Sequence, residues 1–204
     1  MSVEHPGGGF NPPVPTTKGG PDYGRFIDAV RTLQDHTRAV DAPDDVIMKA
    51  AGLIEDVTAL LSPYWADEWE SPSGRRMDLP NRGNIHSVPA ELAKTDDGRI
   101  AGTAQFRRFH LGRNGAAHGG AVAMLFDSLL GFTAAKLTRS LYQRTAFLHV
   151  NYRHIVPVEK ELQLGAGIER VDGRKIFVDG RITDGDALLA DAEALFVRLR
   201  PGQP

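Results

Sequence analysis

The 204-residue chain contains no cysteine. That excludes disulfides, thiolate metal sites and a cysteine nucleophile, and it agrees with a reducing compartment. A dominant charge of one sign is also missing: the formal net charge is −2. No global positive field draws in nucleic acid or an anionic bilayer, so neither is an expected partner. Lysine is scarce, limited to Lys18, Lys49, Lys94, Lys136, Lys160 and Lys175. The opening MSVEHPGGGFNPPVPTTKGG has neither the basic-then-apolar order of a signal peptide nor the arginines of a transit peptide. The longest apolar stretch, residues 119–135, is short for a bilayer crossing and carries Asp127 near its middle. These absences together predict a soluble, cytoplasmic protein.

What is present divides the chain into three parts. Residues 1–21 are rich in Gly and Pro with few apolar groups, and are expected to be disordered or extended. Residues 22–84 carry two helical patterns and a loop. The first pattern, over 22–40, places Phe26, Ile27, Val30 and Leu33 at three- and four-residue spacing. The second starts near residue 44 and repeats Val46, Ile47, Ala50, Leu53, Ile54, Val57, Leu60 and Leu61 before Pro63 stops it. A helical hairpin is expected, with an apolar stripe that must lie on something. Breakers at Pro72, Gly74, Pro80 and Gly83 mark the loop. Trp65 and Trp69 are expected to pack ordinarily, to cap the hairpin or to line a ligand tunnel.

Over residues 85–204 the period changes. Strands are expected at 100–109, 149–155, 161–171, 174–183 and 189–199. Ile176 and Val178 share one face, as do Leu195, Val197 and Leu199. Asp172-Gly173 and Asp184-Gly185 are hairpin signals, so the last fifty residues read as an antiparallel meander. Between the strands, residues 118–137 place Ala121, Val122, Met124, Leu125, Phe126, Leu129, Leu130 and Phe132 on nearly every side of a helix. A helix apolar all round must be buried all round. A curved antiparallel sheet wrapped around one central helix meets that demand, so the fold class is α+β, a hotdog fold with an N-terminal helical hairpin.

The start of that helix, Asn114-Gly-Ala-Ala-His118-Gly119-Gly120, carries the chemistry. The first amides of a helix lack intrahelical partners, and their aligned dipoles favour negative charge. Without a Cβ, Gly119 and Gly120 let a ligand approach the backbone closely. Such amides can hold a carbonyl oxygen as it becomes an oxyanion, an effect worth about 3–4 kcal/mol per donor. Asp127 is costly in an apolar helix unless it is bonded or has a purpose. Burial there would raise its pKa towards that of a general base; the bland reading is a carboxylate that satisfies a buried backbone group. His118 and Asp127 lie nine residues apart, about 13 Å along a helix, too far to grip one carbonyl carbon together. An active site shared across a homodimer is therefore expected.

Residues 102–199 resemble the acyl-CoA thioesterases of the PaaI-like, 4-hydroxybenzoyl-CoA thioesterase superfamily, most closely the members with an extra N-terminal region. The matching pieces are His118-Gly119-Gly120 with Asp127, Thr145-Ala-Phe-Leu-His-Val-Asn-Tyr152-Arg153, Pro157-Val158, Val171-Asp-Gly-Arg-Lys-Ile-Phe-Val178 and the strand from Asp191 to Leu199. The resemblance implies hydrolysis of an acyl-CoA to free acid and CoA, with Asp127 as general base or nucleophile. It implies an oxyanion donor at the Gly119 or Gly120 amide, a supporting His118 beside the thioester, and Thr145 placing the water. Many relatives carry an asparagine six residues before the histidine, where this chain has Gly112; Asn114 is displaced by two positions and is the substrate-binding candidate. Arg153, Arg174 and Lys175 are candidates for the CoA phosphates, with solvated strand charge as the plain alternative.

No metal or redox cofactor is expected, since CoA is part of the substrate. His110, His118, His149 and His154 lack H-E-x-x-H spacing and read as structural or surface residues. Ser128 has no G-x-S-x-G elbow. The expected assembly is a dimer or a dimer of dimers. Two other readings stand beside hydrolysis: a hotdog enoyl-CoA hydratase or dehydratase, and a non-catalytic acyl-CoA-binding protein.

Overall fold

The computed structural model describes residues 14–200 and Gln203; residues 1–13, most of the segment expected to be disordered or extended, lie outside the described residues. Three helices, α1 (Tyr23–Ala39), α2 (Asp44–Leu61) and α3 (Gly119–Thr138), accompany six strands. The strands are β1 (Ala90–Lys94), β2 (Ile100–Gln105), β3 (Gln143–Tyr152), β4 (Glu161–Asp172), β5 (Lys175–Asp184) and β6 (Ala187–Arg198). They form one antiparallel sheet in the order β1-β2-β4-β5-β6-β3. The meander β4-β5-β6 turns at Gly173 and Gly185, whose φ values of 55° and 56° suit the left-handed hairpin turns.

The sheet curves around α3, giving the hotdog architecture. Leu125, Phe126, Leu129 and Leu130 of the helix are fully buried with Ile100, Leu162, Ile176, Val178 and Ile182 of the sheet. By length and composition α3 is long and apolar enough to cross a membrane, longer than the apolar run suggested; its apolar residues instead fill this core. Its burial is one-sided, not complete as the sequence implied. Gly120 and Asp127 are exposed, and Ala123, Met124 and Gly131 are half-buried between and beyond them. The sheet wraps one side of the helix and leaves a stripe open.

Where α3 approaches β5 and β6, the core face is built from small side chains. Ala190, Ala192 and Ala194 point inward, with the aromatic Phe196 following them, while Leu195 and Val197 of the expected stripe take the opposite, half-exposed face. A Cβ on Gly180 would come within 2.7 Å of Leu130 Cδ2, so helix and sheet meet too closely there for branched residues.

The N-terminal helices do not pack along one another as a hairpin. Ile27 and Arg31 of α1 are buried, and α1 packs on the turn Arg108–His110. No residue of α2 is buried, and Trp65, just beyond it, is 92% exposed. The apolar stripe of α2 is real, and the described residues leave it uncovered. Residues 14–20 are tied to the following loop: Arg75 Nε donates to Val14 O (2.7 Å), and the buried Arg76 donates to Lys18 O and Gly20 O (3.1 and 3.0 Å).

Candidate active site

The entry to α3 is a folded loop. Asn114 and Gly115 both have positive φ, 54° and 76°, and form the two central residues of a tight turn closed by Ala116 N–H to Arg113 O at 3.0 Å. Asn-Gly is the residue pair that this turn favours, so Asn114 has a backbone reason to stand here. Gly112 N–H donates back to Ala116 O (2.8 Å), Ala117 N–H to Val156 O (2.7 Å) and His118 N–H to His110 O (2.7 Å).

His118 is the N-cap of α3, and its Nδ1 accepts from Gly120 N–H at 3.0 Å. That bond requires an unprotonated Nδ1. It also uses the Gly120 amide, whereas the Gly119 amide has no hydrogen-bond acceptor among the described residues. Of the two candidate donors, Gly119 is the free one. Tyr152 OH donates to Gly119 O at 2.9 Å, pinning the helix start to the end of β3.

At the other end of β3, Thr145 Oγ1 donates to Asp127 Oδ1 at 3.0 Å. Both residues are exposed. The carboxylate is therefore not enclosed by its own chain, contrary to the burial expected from its apolar neighbours in sequence; it sits on the open stripe of α3. A register shift between Thr145 and Phe147 interrupts the strand's alternation and turns Thr145 towards that stripe.

Two half-sites result. One holds Asp127 and Thr145; the other holds His118, Gly119 and Tyr152. Thr145 and Tyr152 are seven residues apart on β3, roughly 20 Å along the strand, so one chain does not bring the halves together. The phosphate candidates divide in the same way. Lys175 lies in register with Val197, which faces Arg144, about 10 Å across two strand spacings and near the Thr145 end. Arg153 lies at the Tyr152 end, paired with Asp191 at 2.6 Å; that carboxylate pushes its pKa up. Arg174 Nη1 donates to Arg198 O and Gln203 Oε1 (2.9 and 3.1 Å).

Sequence reasoning missed the brace behind the helix entry. Asp35 of α1 accepts from Arg107 Nε (2.7 Å) and from Phe109 N–H (2.9 Å), and Arg38 reaches Leu111 O and Gly112 O (3.4 Å each). Arg107 N–H in turn donates to Nδ1 of the buried His110 at 3.0 Å. Burial first, then Arg107 and Arg31, hold His110 below its usual pKa, against an opposing pull from Asp35. A helix surface charge 72 residues from its partner leaves no signal in a single sequence. His149 pairs with Glu193 at 3.2 Å, and no cluster of three or more metal-ligating side chains occurs among the described residues.

The profile of the thioesterase superfamily matches residues 114–190, the span from the Asn-Gly turn through α3 and Thr145 into β6. Over these residues the hotdog domain is similar to the thioesterase superfamily. A solved thioesterase superfamily protein superposes on this domain and its N-terminal helices together, with a TM-score of 0.74 at 26% identity over 92% of this chain and 97% of that one. Acyl-coenzyme A thioesterase THEM4 of Rattus norvegicus is 33% identical over 46% of this chain, and that of Xenopus laevis 34% identical over 44%. The matched region spans about 40% of the length of each of these two curated relatives.

Proposed function

We propose that this protein is an acyl-CoA thioesterase that works as a homodimer, each active site taking one half from each subunit. The observation that carries the reading is the separation of the half-sites along β3. Among the described residues β3 is a ten-residue edge strand bonded to β6 alone, and such an edge is a template for a further strand. Antiparallel pairing of β3 with its two-fold mate, centred between Thr145 and Tyr152, sets Asp127 and Thr145 of one subunit beside His118 and Gly119 of the other. The same pairing covers the open apolar stripe of α3, which a single subunit leaves in water.

The chemistry follows from the groups in each half. Thr145 spends its one O–H on Asp127 Oδ1 and keeps lone pairs that accept from water, so a water held between Thr145 Oγ1 and Asp127 Oδ2 is oriented for attack. As its oxygen bonds to the thioester carbon, its proton passes to Asp127. The carbonyl oxygen takes up the negative charge and receives the Gly119 N–H of the partner subunit at the positive end of α3. Collapse breaks the C–S bond, the thiolate regains a proton from Asp127, and the free acid and CoA leave. No metal or redox cofactor enters. The names of the curated relatives support CoA as the carrier, and Lys175 and Arg174 are the phosphate contacts that lie at the Asp127 end.

The test is thiol release over acyl-CoAs of graded length, run beside enoyl-CoA hydration. Thiol release from part of the panel is expected. A protein that hydrates enoyl-CoA without releasing thiol, or binds acyl-CoA and turns over neither, overturns the assignment.

A further inference from the structure

Helix α2 is the least explained element of the fold. All of its residues are exposed except the half-exposed Gly52, yet it carries Val46, Ile47, Leu53, Ile54, Val57, Leu60 and Leu61 in the open. An isolated helix of this length is marginal in water and normally depends on packing an apolar face.

The spacing identifies what packs there. Val46, Ala50, Leu53, Val57 and Leu60 recur at alternating steps of four and three, the a/d seam of a coiled coil. Ala50 and Val57 take the a positions and Val46, Leu53 and Leu60 the d positions. Ile47, Ile54 and Leu61 are then e residues, and Lys49 and Asp56 are the g residues. In an antiparallel pair, g residues meet g residues and e residues meet e residues. Aligning Ala50 of one helix with Leu53 of another sets Lys49 beside Asp56 of the second copy, and the two-fold repeats the pair in reverse. The same alignment joins Ile54 to Ile47 and Val57 to Val46 of that copy. One register thus pairs Val46, Ala50, Leu53 and Val57 of the seam, joins Ile47 to Ile54 on the flank and matches both charges, with Leu60 and Leu61 beyond the overlap. A parallel pair, where g meets e, would set Lys49 and Asp56 against Ile and Leu instead.

We infer that α2 is a self-association element, pairing antiparallel with α2 of a second copy through the Val46–Val57 seam and reciprocal Lys49–Asp56 contacts. This interface is separate from the β3 edge. If the two use different two-fold axes, the assembly is a dimer of dimers.

Sedimentation equilibrium at low salt on the full chain tests the inference with Lys49→Asp, Asp56→Lys, the double swap Lys49→Asp/Asp56→Lys, and Leu53→Glu. Each single reversal is expected to weaken one association step by about tenfold, since it replaces two attractions with two repulsions. The double swap is expected to restore the wild-type constant, and Leu53→Glu to abolish that step. Because α2 lies outside the core, all four should keep the wild-type thermal midpoint of the hotdog domain at equal oligomeric state. A monomeric wild type, single reversals that associate like wild type, or a double swap as weak as its parents overturns the inference. The readout is mass, so it stands or falls independently of thiol release.

Discussion

Thr145 Oγ1 lies 3.0 Å from Asp127 Oδ1 and ties the edge strand of the sheet to the open face of its central helix. The bond fixes one carboxylate oxygen and leaves the other for water. Asp127→Asn keeps the shape and removes the base, so kcat for thiol release should fall at least about a hundredfold, the usual scale of general-base catalysis. Thr145→Ala should cost about tenfold in kcat with KM nearly unchanged, because water placement, not acyl-CoA binding, is what it loses. Steady-state thiol release measures both, and a Thr145→Ala enzyme with wild-type kcat would remove Thr145 from the mechanism.

The Gly119 amide can be deleted without breaking the helix. Gly119 is the first residue of α3, where proline is favoured, and His118 before it is extended at φ −61° and ψ 133°, as a residue preceding proline prefers. Gly119→Pro should therefore fold and lose the oxyanion donor, with kcat down about a hundredfold or more. Mixed by refolding with Asp127→Asn, it should recover about a quarter of wild-type activity. Half of the random dimers are mixed, and each mixed dimer has one intact shared site. Activity no greater than the sum of the two variants would mean that the half-sites do not meet across subunits.

Asp35 holds the loop that ends in His118. Replacing it with Ala leaves Arg107 Nε and the Phe109 amide without their acceptor, a loss of about 1–3 kcal/mol. Amide exchange should accelerate at Phe109 and at His118, whose N–H bonds to His110 O. A several-fold drop in kcat is expected to accompany it. Wild-type exchange at His118 would uncouple α1 from the site.

His110 gives the fold a pH dependence of defined sign. Its proton is disfavoured when folded, chiefly by burial, so the unfolded chain binds more protons between the lowered value and 6.5. Its contribution to stability is complete above 6.5 and is lost as pH falls through that interval. Thermal midpoints from pH 7.5 to 5 should fall more steeply for wild type than for His110→Asn. Equal slopes would assign the acid sensitivity to other groups.

The elements visible in advance are those whose pattern is local. The 3.6-residue period of α1 and α2, the dense apolar run of α3, the Asp-Gly turns and the alternation in β4 and β5 all depend on neighbours within a few residues. β1 was not anticipated, because AELAK is too short and too polar to alternate. β3 begins at Gln143, well before the expected start at residue 149, since the shift at Thr145 breaks its period. The same logic divides the site. Gly119, Gly120 and Asp127 stood out because glycines at a helix start and a carboxylate among apolar residues are local anomalies.

Sequence alone determined the kinds of element, their order and the charge placed in the central helix, since these follow from side chains read a few positions at a time. Only the tertiary structure decided that Asp127 is open on one side, that His118 occupies the Gly120 amide and leaves Gly119 free, and that α1 braces the site while α2 stands apart. Those facts depend on which surfaces meet in space, and a linear pattern sets an apolar face without setting what covers it.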